Sequence, residues 1–355
     1  MHHQTFPIFK TKVDGLDQKF DLGDLGSRKD YFQAKAGAEI EKLKTYLAGN
    51  TFLAFLLGKK NSGKGTYSKM FMEAVSAERV GHLSVGDIVR DIHQALETTP
   101  AAKENLVAFL EKNYRGFHTV EETLDLIMGR NQTSLISSEL ILSLIEYEIS
   151  KRPKQAIFID GFPRAIDQIS YSLFLKELIG YRDDPDFMVF INVPNSVIDE
   201  RIKYRVICPV CKVPRNTKLL ATHKAGFDEK TAEFYLICDE HGERMVAKEG
   251  DAQGIEPIKQ RLEVDNQVFN QLLKLTGVPK VYLRNSVPVK EALEYVDDYE
   301  LTPEYYYERD EKTGEVKILT KPWTIKDDEG VESYSLLPAA VEVSLIKQTA
   351  QVLGL

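Results

Sequence analysis

Four stretches of the chain are apolar on nearly every residue: Thr51–Leu57 (TFLAFLL), Gln155–Asp160 (QAIFID), Asp186–Val193 (DFMVFINV) and the shorter Lys280–Leu283 (KVYL). Runs of this length predict buried strands, and a further short strand ends near Leu83. Between them the pattern shifts to helical spacing. Ala34–Leu47 carries Ile40, Leu43 and Leu47 on one stripe, and Lys64–Val75 follows the first strand. Residues 91–150 are helix-patterned throughout (His93–Leu96, Ala101–Lys112, Val120–Met128, Ser137–Ser150), with breaks at 114–116 and 129–132. Further helices are predicted over Asn195–Arg205, capped by Asn195 or Ser196, over Ile255–Leu275 and over Val289–Val296. Asp14–Asp30 is polar and Gly-rich, which predicts a loop or a surface arm. The tail, 301–355, predicts a hairpin around Lys312-Thr313-Gly314, a second strand pair around Asp328-Glu329-Gly330 and a helix over Pro338–Val352. Trp323 and the run Tyr305–Tyr307 are expected to pack that tail. His2–His3 reads as terminal sequence and not as a ligand pair.

The 355 residues suffice for a sizeable core and more than one domain. With 43% hydrophobic and 28% charged residues the composition is that of an ordinary soluble protein. No apolar stretch approaches a membrane span and no cleavable signal is visible near Met1, so no membrane partner is expected. A net charge of −8 argues against a general nucleic-acid binder. Any affinity for phosphate must therefore come from cations concentrated locally.

Such a concentration follows the first strand. Gly58 to Thr66, GKKNSGKGT, fits G-x-x-x-x-G-K, the phosphate-cradling loop between a buried strand and a helix. Its glycines let backbone N–H groups turn inward, and the next helix adds its free N–H groups and positive dipole end. Gly58, Asn61, Ser62, Gly63, Lys64, Gly65 and Thr66 are thus candidate phosphate contacts, with Lys64 as the mobile charge. Gly65 stands where many such loops carry Ser or Thr, and Lys59 and Lys60 add charge to the loop. Asp160, ending its strand beside this loop, is placed to organise the water shell of Mg²⁺. The turn Gly161-Phe162-Pro163-Arg164 then projects an arginine from the edge where open α/β sheets bind ligands. Arg201 and Arg205 stand four apart and share a helix face.

All three cysteines lie between residues 208 and 238. Cys208-x-x-Cys211 and Cys238-x-x-His241 form two knuckles with 26 residues between Cys211 and Cys238. Three thiolates and an imidazole suit a closed, structural, tetrahedral Zn²⁺, with free thiols or a redox pair as the alternatives. A clustered, odd set points to a reducing compartment, hence the cytoplasm.

Taken in order, GKKNSGKGT, LSVGDIVR, DGFPRAIDQ, DERIKYR and CPVC…CDEH with a downstream QRL resemble the adenylate kinases of the nucleoside monophosphate kinase family, of the type with a zinc-bearing lid. The resemblance covers roughly Thr51 to Asp297. It implies an α/β fold, a P-loop-type parallel five-stranded sheet with helices on both faces. The core would be 51–83, 151–207 and 255–297, the helical monophosphate-binding domain 84–150 and the β-rich lid 208–254. Segments 1–50 and 298–355 remain as extensions. The implied reaction is reversible, Mg²⁺-dependent phosphoryl transfer from ATP to AMP, giving two ADP, by a monomer. By position, the loop with Lys64 would hold the ATP phosphates, and Arg90 and Arg164 the AMP phosphate. Gln168 would bond the AMP adenine edge, with Val85, Ile136 and Gly161 near that nucleoside. Arg205 and Arg261 would bridge the transferring group, Arg201 and Pro288 would flank the ATP adenine, and Asp87 and Asp160 would position hydrated Mg²⁺.

The chain also departs from the family pattern. Val85 replaces a usual Thr, which accompanies pyrimidine acceptors, whereas Gln168 favours adenine. CMP or UMP is therefore the alternative acceptor. Lys248 stands near a family arginine, and Gly250-Asp251 replaces an Asp pair. Residues 91–130 exceed the usual length by roughly twenty. A non-catalytic nucleotide sensor is the competing reading. The set Lys64, Arg90, Arg164, Arg205 and Arg261 weighs against it, because a pure binder needs no arginines for an acceptor phosphate. A zinc-ribbon nucleic-acid module conflicts with the acidic balance.

Overall fold

The computed structural model describes residues 6–129, 136–248 and 250–355. The His2–His3 pair and residues 130–132 of one predicted break lie outside them. Helix α1 (Leu25–Leu47) leads into β1 (Leu53–Gly58), α2 (Lys64–Ala74) and β2 (Val80–Ser84). Four helices follow: α3 (Val85–Thr98), α4 (Pro100–Asn113), α5 (Val120–Ile127) and α6 (Ser138–Ser150). The chain then returns through β3 (Ala156–Asp160), α7 (Gln168–Leu178), β4 (Asp186–Asn192) and α8 (Asn195–Lys203). Short strands come next: β5 (Arg205–Ile207), β6 (Pro214–Asn216), β7 (Lys224–Asp228), β8 (Glu233–Ile237) and β9 (Val246–Ala247). The last third holds α9 (Lys259–Leu273), β10 (Lys280–Arg284), β11 (Ser286–Pro288), α10 (Ala292–Tyr295), β12 (Pro303–Arg309), β13 (Val316–Pro322), β14 (Thr324–Lys326), β15 (Glu332–Ser335) and α11 (Pro338–Val352).

Five strands form one parallel sheet in the order β10-β4-β1-β3-β2, the P-loop α/β arrangement. β1 is central, with Leu53 opposite Ile157 on one side and Asp186 on the other. Its run of apolar residues follows from that position, because successive side chains serve different cores. Ala54 and Leu56 join the central cluster with α1, α2 and α11. Leu53 and Phe55 join the cluster shared with helices α3 to α6. The chain leaves β1 for β2 and β3 on one side and reaches β4 on the other, so the loop after β1 sits at the switch point where such sheets bind ligands.

The two ends of the chain belong to the central core. α1 starts at Leu25, nine residues before the predicted start, because the Asp24 carboxylate caps it at the Ser27 N–H (2.7 Å). A break at Ala36 (φ −145°) separates this polar first half from the apolar stripe that the sequence shows. A buried polar cluster ties this helix to the C-terminal side: Lys35 to Asp297 (2.5 Å) and Glu300 (3.6 Å), with Thr11 and Tyr31 donating to Glu300 at 2.6 and 2.5 Å. α11 packs on α1, α2 and β10 and is buried almost all round, the polar Glu342, Ser344 and Thr349 included.

Other predicted elements shift for identifiable reasons. The N–H of Asn195, at the start of α8, donates to the Asp328 carboxylate in the β14–β15 turn (2.8 Å), so neither Asn195 nor Ser196 supplies the cap. α8 ends at Lys203, so Arg205 opens β5 and does not share the helix with Arg201. The tail's hairpins and helix fall where predicted, but the tyrosines pack elsewhere. Tyr305 donates its N–H to Lys218 O (2.7 Å), Tyr307 its hydroxyl to Thr217 O (2.5 Å), and the Tyr307 ring stacks on Phe234 at 5.6 Å. The β12–β13 hairpin therefore rests on the lobe formed by β5 to β9. Trp323 is buried in the central core.

Glu342, on α11, is fully buried, and among the described residues neither carboxylate oxygen has a hydrogen-bond partner. Burial pushes its pKa well above the usual carboxylate range, with Glu73 adding to the shift. The folded state thus holds a proton that the unfolded chain releases. Its contribution to stability is complete below the ordinary carboxylate pKa and is lost as pH rises through the elevated folded value. Glu342→Gln should therefore raise the urea midpoint at pH 8 and leave it nearly unchanged at pH 4. An equal shift at both pH values would contradict the assignment.

Candidate functional site

The phosphate loop joins β1 to α2. At Gly58 a side chain could not be accommodated, since a Cβ would lie 2.9 Å from both Ile191 O and Ser62 Oγ. Gly63 takes φ +98° and opens α2 with no side-chain cap, leaving the helix's first N–H groups available to an anion. Asn61 also has positive φ (66°), a conformation uncommon outside glycine. The Lys64 ammonium donates to Gly58 O (2.9 Å) and Lys59 O (3.1 Å) and lies 3.7 Å from Asp160. The two extra loop lysines part company. Lys59 turns away to Val193 O (3.1 Å) and Asp328 (2.7 Å). Lys60 faces the cleft, where burial and then Arg261, Lys248 and Arg205 lower its pKa.

On one side of Lys64 lies a cleft of about 470 Å³. Six cations line it: Lys60, Lys64, Arg90, Arg164, Lys248 and Arg261. Ser84 ends β2 and caps α3, which projects Arg90 one turn on, ion-paired with Asp87. Asp160 ends β3, and Gly161 (φ +86°) turns the chain so that Arg164 faces the same space. Gln168 is buried, and its side-chain oxygen accepts the Arg164 N–H (2.8 Å), which braces the turn carrying that arginine. Val85 is buried at the start of α3, and Ile136 packs half-buried on the helical insert. Arg261 comes from α9 and Lys248 from the end of the β-rich lobe. Asp265 also lines the cleft and accepts the Lys60 backbone N–H (3.2 Å), and burial raises its pKa. Nothing in the sequence marked Asp265, because its role depends on α9 crossing the loop.

On the other side lies a second cavity of about 540 Å³, which shares Asn61, Lys64 and Asp160 with the first. Gly63, Gly65 and Thr66 line its floor, with Arg201 and Arg205 beside them. Arg205 makes a two-pronged pair with Asp251 (2.6 and 2.8 Å) and reaches Asn61 Oδ1 at 3.4 Å. Arg201 contacts Asn61 O (3.5 Å) and Asn285 Oδ1 (3.4 Å). Pro288 lies in β11, paired opposite Ser333 of β15, and lines neither cavity. Residues of the tail, Thr302, Ser335, Leu337 and Pro338, line the second cavity instead.

In the lobe above, one donor atom from each of Cys208, Cys211, Cys238 and His241 falls within 4.8 Å of the others. Cys211 Sγ and Cys238 Sγ are 3.8 Å apart, as are Cys238 Sγ and His241 Nδ1. These edges fit a tetrahedron with arms of about 2.0–2.3 Å, the size for Zn²⁺ with thiolate and imidazole ligands. The Cys238 thiol is pulled down to about 6, first by the backbone N–H of His241, which favours the thiolate a metal requires. These residues therefore fit a structural zinc.

Fold and clefts together define a P-loop nucleotide-binding α/β protein with a helical insert and a cysteine-bearing lid. Among known proteins, this chain is similar to adenylate kinases. It is 27% identical to the adenylate kinase of Clostridium acetobutylicum over 237 residues, 66% of this chain and 88% of that protein. It is 28% identical to that of Thermotoga petrophila over 215 residues (60% and 79%) and 26% identical to that of Mycoplasma mobile over 214 residues (59% and 79%). No protein-family model matches the chain. Among the described residues no helix is long and apolar enough to cross a membrane.

The lobe is too small to build much core of its own, so metal binding should supply much of its stability. Chelation is expected to abolish protection of β7 and β8 amides in hydrogen exchange while the parallel sheet keeps its own. Equal protection of the lobe with and without chelator would contradict a structural metal.

Proposed function

We propose that the protein is a nucleoside monophosphate kinase that transfers the terminal phosphoryl group of ATP to AMP, reversibly and with Mg²⁺. One observation carries this reading: two cation-lined cavities meet at Lys64 and Asp160. A hydrolase or a single-nucleotide sensor needs one such cavity. Two anionic nucleotides brought end to end need both.

The arrangement suits phosphoryl transfer, which asks for in-line placement and charge neutralisation more than for covalent help. No general base is required, since the acceptor phosphate is already an anion. Its approach is opposed by charge. Two unit charges about 4 Å apart repel by about 4 kcal/mol at an effective dielectric of about 20. The planar forks of Arg90, Arg164, Arg205 and Arg261, with Lys64, offset that repulsion and stabilise charge on the transferring group. Asp160 and Asp87 would hold Mg²⁺ through its water shell, and the ion would supply further charge neutralisation between the phosphates. Lid closure would exclude water and suppress hydrolysis. Gln168, already bracing Arg164, supports an adenine acceptor through its remaining amide group. Val85 is the feature that favours CMP or UMP as the alternative. A monomer in the cytoplasm remains the expected setting.

A coupled assay of ADP production with AMP, CMP and UMP in turn tests the proposal. Turnover should be fastest with AMP. ADP formation no faster than slow ATP hydrolysis, whichever acceptor is added, would end the kinase reading. Arg164→Ala should lower kcat by about 10²–10³-fold, since it removes a contact to charge developing in the transition state. A rate close to wild type would show that Arg164 does not touch the reacting phosphates.

A further inference from the structure

We infer that the C-terminal extension completes the donor nucleotide's site, with Thr302, Ser335, Leu337 and Pro338 forming the wall against which the nucleoside of the triphosphate lies. The inference rests on the kinase reading above, under which the second cavity, lined by the loop residues and Arg201 expected to hold ATP, takes the donor. These residues lie beyond Asp297, outside the stretch that resembles the kinases. Their cavity, at about 540 Å³, is of a size that takes a nucleoside.

The wall is fixed in place. β15 pairs with β11, setting Ser335 opposite Ser286. Asn285, fully buried, donates to Leu336 O (2.9 Å) and accepts from the Ser335 hydroxyl (2.9 Å). Thr302 N–H donates to Ser335 O (2.8 Å). Asn285 also accepts from Arg201, so the extension and the donor-side arginine share one anchor.

The chemistry of the cavity points to an aromatic base with a polar edge. Leu219, Leu337 and Pro338 present apolar surface. Tyr67 lines the same cavity and is buried, its hydroxyl turned toward Arg201 and Asn285. The Thr302 hydroxyl, on a buried residue, makes no hydrogen bond among the described residues. Apolar faces with a few polar groups at the edge are what a nucleoside site presents.

Equilibrium titration of the full chain with ATP, in parallel with steady-state KM for donor and acceptor, tests this. Leu337→Ala should raise the ATP Kd and the donor KM about tenfold and leave the AMP KM unchanged. Thr302→Val, which keeps shape and removes only the hydroxyl, should raise the same two constants several-fold, with a wild-type melting curve. Unchanged ATP affinity in Thr302→Val and in a folded Leu337→Ala would overturn the inference. So would tighter ATP binding, which would mean that the extension obstructs the site. Titration needs no turnover, so the two readings can fail separately. A chain that binds ATP through this wall yet phosphorylates no monophosphate would sink the kinase proposal alone. An active kinase whose donor affinity ignores both variants would sink this inference alone. A chain that binds no ATP would sink both.

Discussion

In the proposed reaction, charge repulsion between two bound anions is the constraint around which this molecule is arranged. The chain is acidic overall, with a net charge of −8, yet six cations line a single cleft of about 470 Å³. Cations crowded this closely destabilise one another: the pKa of Lys60 is lowered by burial first and then by Arg261, Lys248 and Arg205. The protein manages that by interleaving acids. Asp160 stands beside Lys64, Asp251 holds Arg205 and Asp265 holds the loop at the Lys60 N–H. The arginine and lysine charges are thus held in place by carboxylates at the margins of the space that the phosphates would fill.

The same constraint gives the extensions a physical role. The loop's surplus lysine, Lys59, is drawn off by Asp328 of the β14–β15 turn, and the other oxygen of that carboxylate caps α8. The β12–β13 hairpin rests on the lid through Tyr305, Tyr307 and the Phe234 stack. α11 backs α2, the helix that follows the glycine loop. The tail therefore touches the loop, the cysteine-bearing lobe and the loop's helix, and lines the second cavity. It is woven into the machinery and is not an appended domain.

What could be read from the sequence divides along contact range. β1, the glycine loop and α2 were legible because each depends on neighbours within a few residues: an apolar run, two glycines that no larger residue can replace and a lysine at fixed spacing. The four metal-type ligands were legible for the same reason, as two tight knuckles. The strand pairs and helix of the tail were also local. The partners were not legible. Lys59 and Asp328 are separated by 269 positions and Asn61 and Arg205 by 144, and no pattern in the chain links either pair. The start of α1 was missed because its first turns are polar and are stabilised by the Asp24 cap and by burial of Tyr31 and Phe32 against remote residues. Pro288 was assigned by position alone, and the pairing of β11 with β15 places it outside the cavity lining.

The most direct test of the central claim is competition binding with a bisubstrate dinucleotide, two adenosines joined by a polyphosphate chain. If both nucleotides meet at Lys64, one molecule should bind per chain, far more tightly than ATP or AMP alone, and displace both. Binding that displaces ATP and leaves AMP bound, or an affinity no better than that of ATP, would show that the two cavities do not form one reaction site.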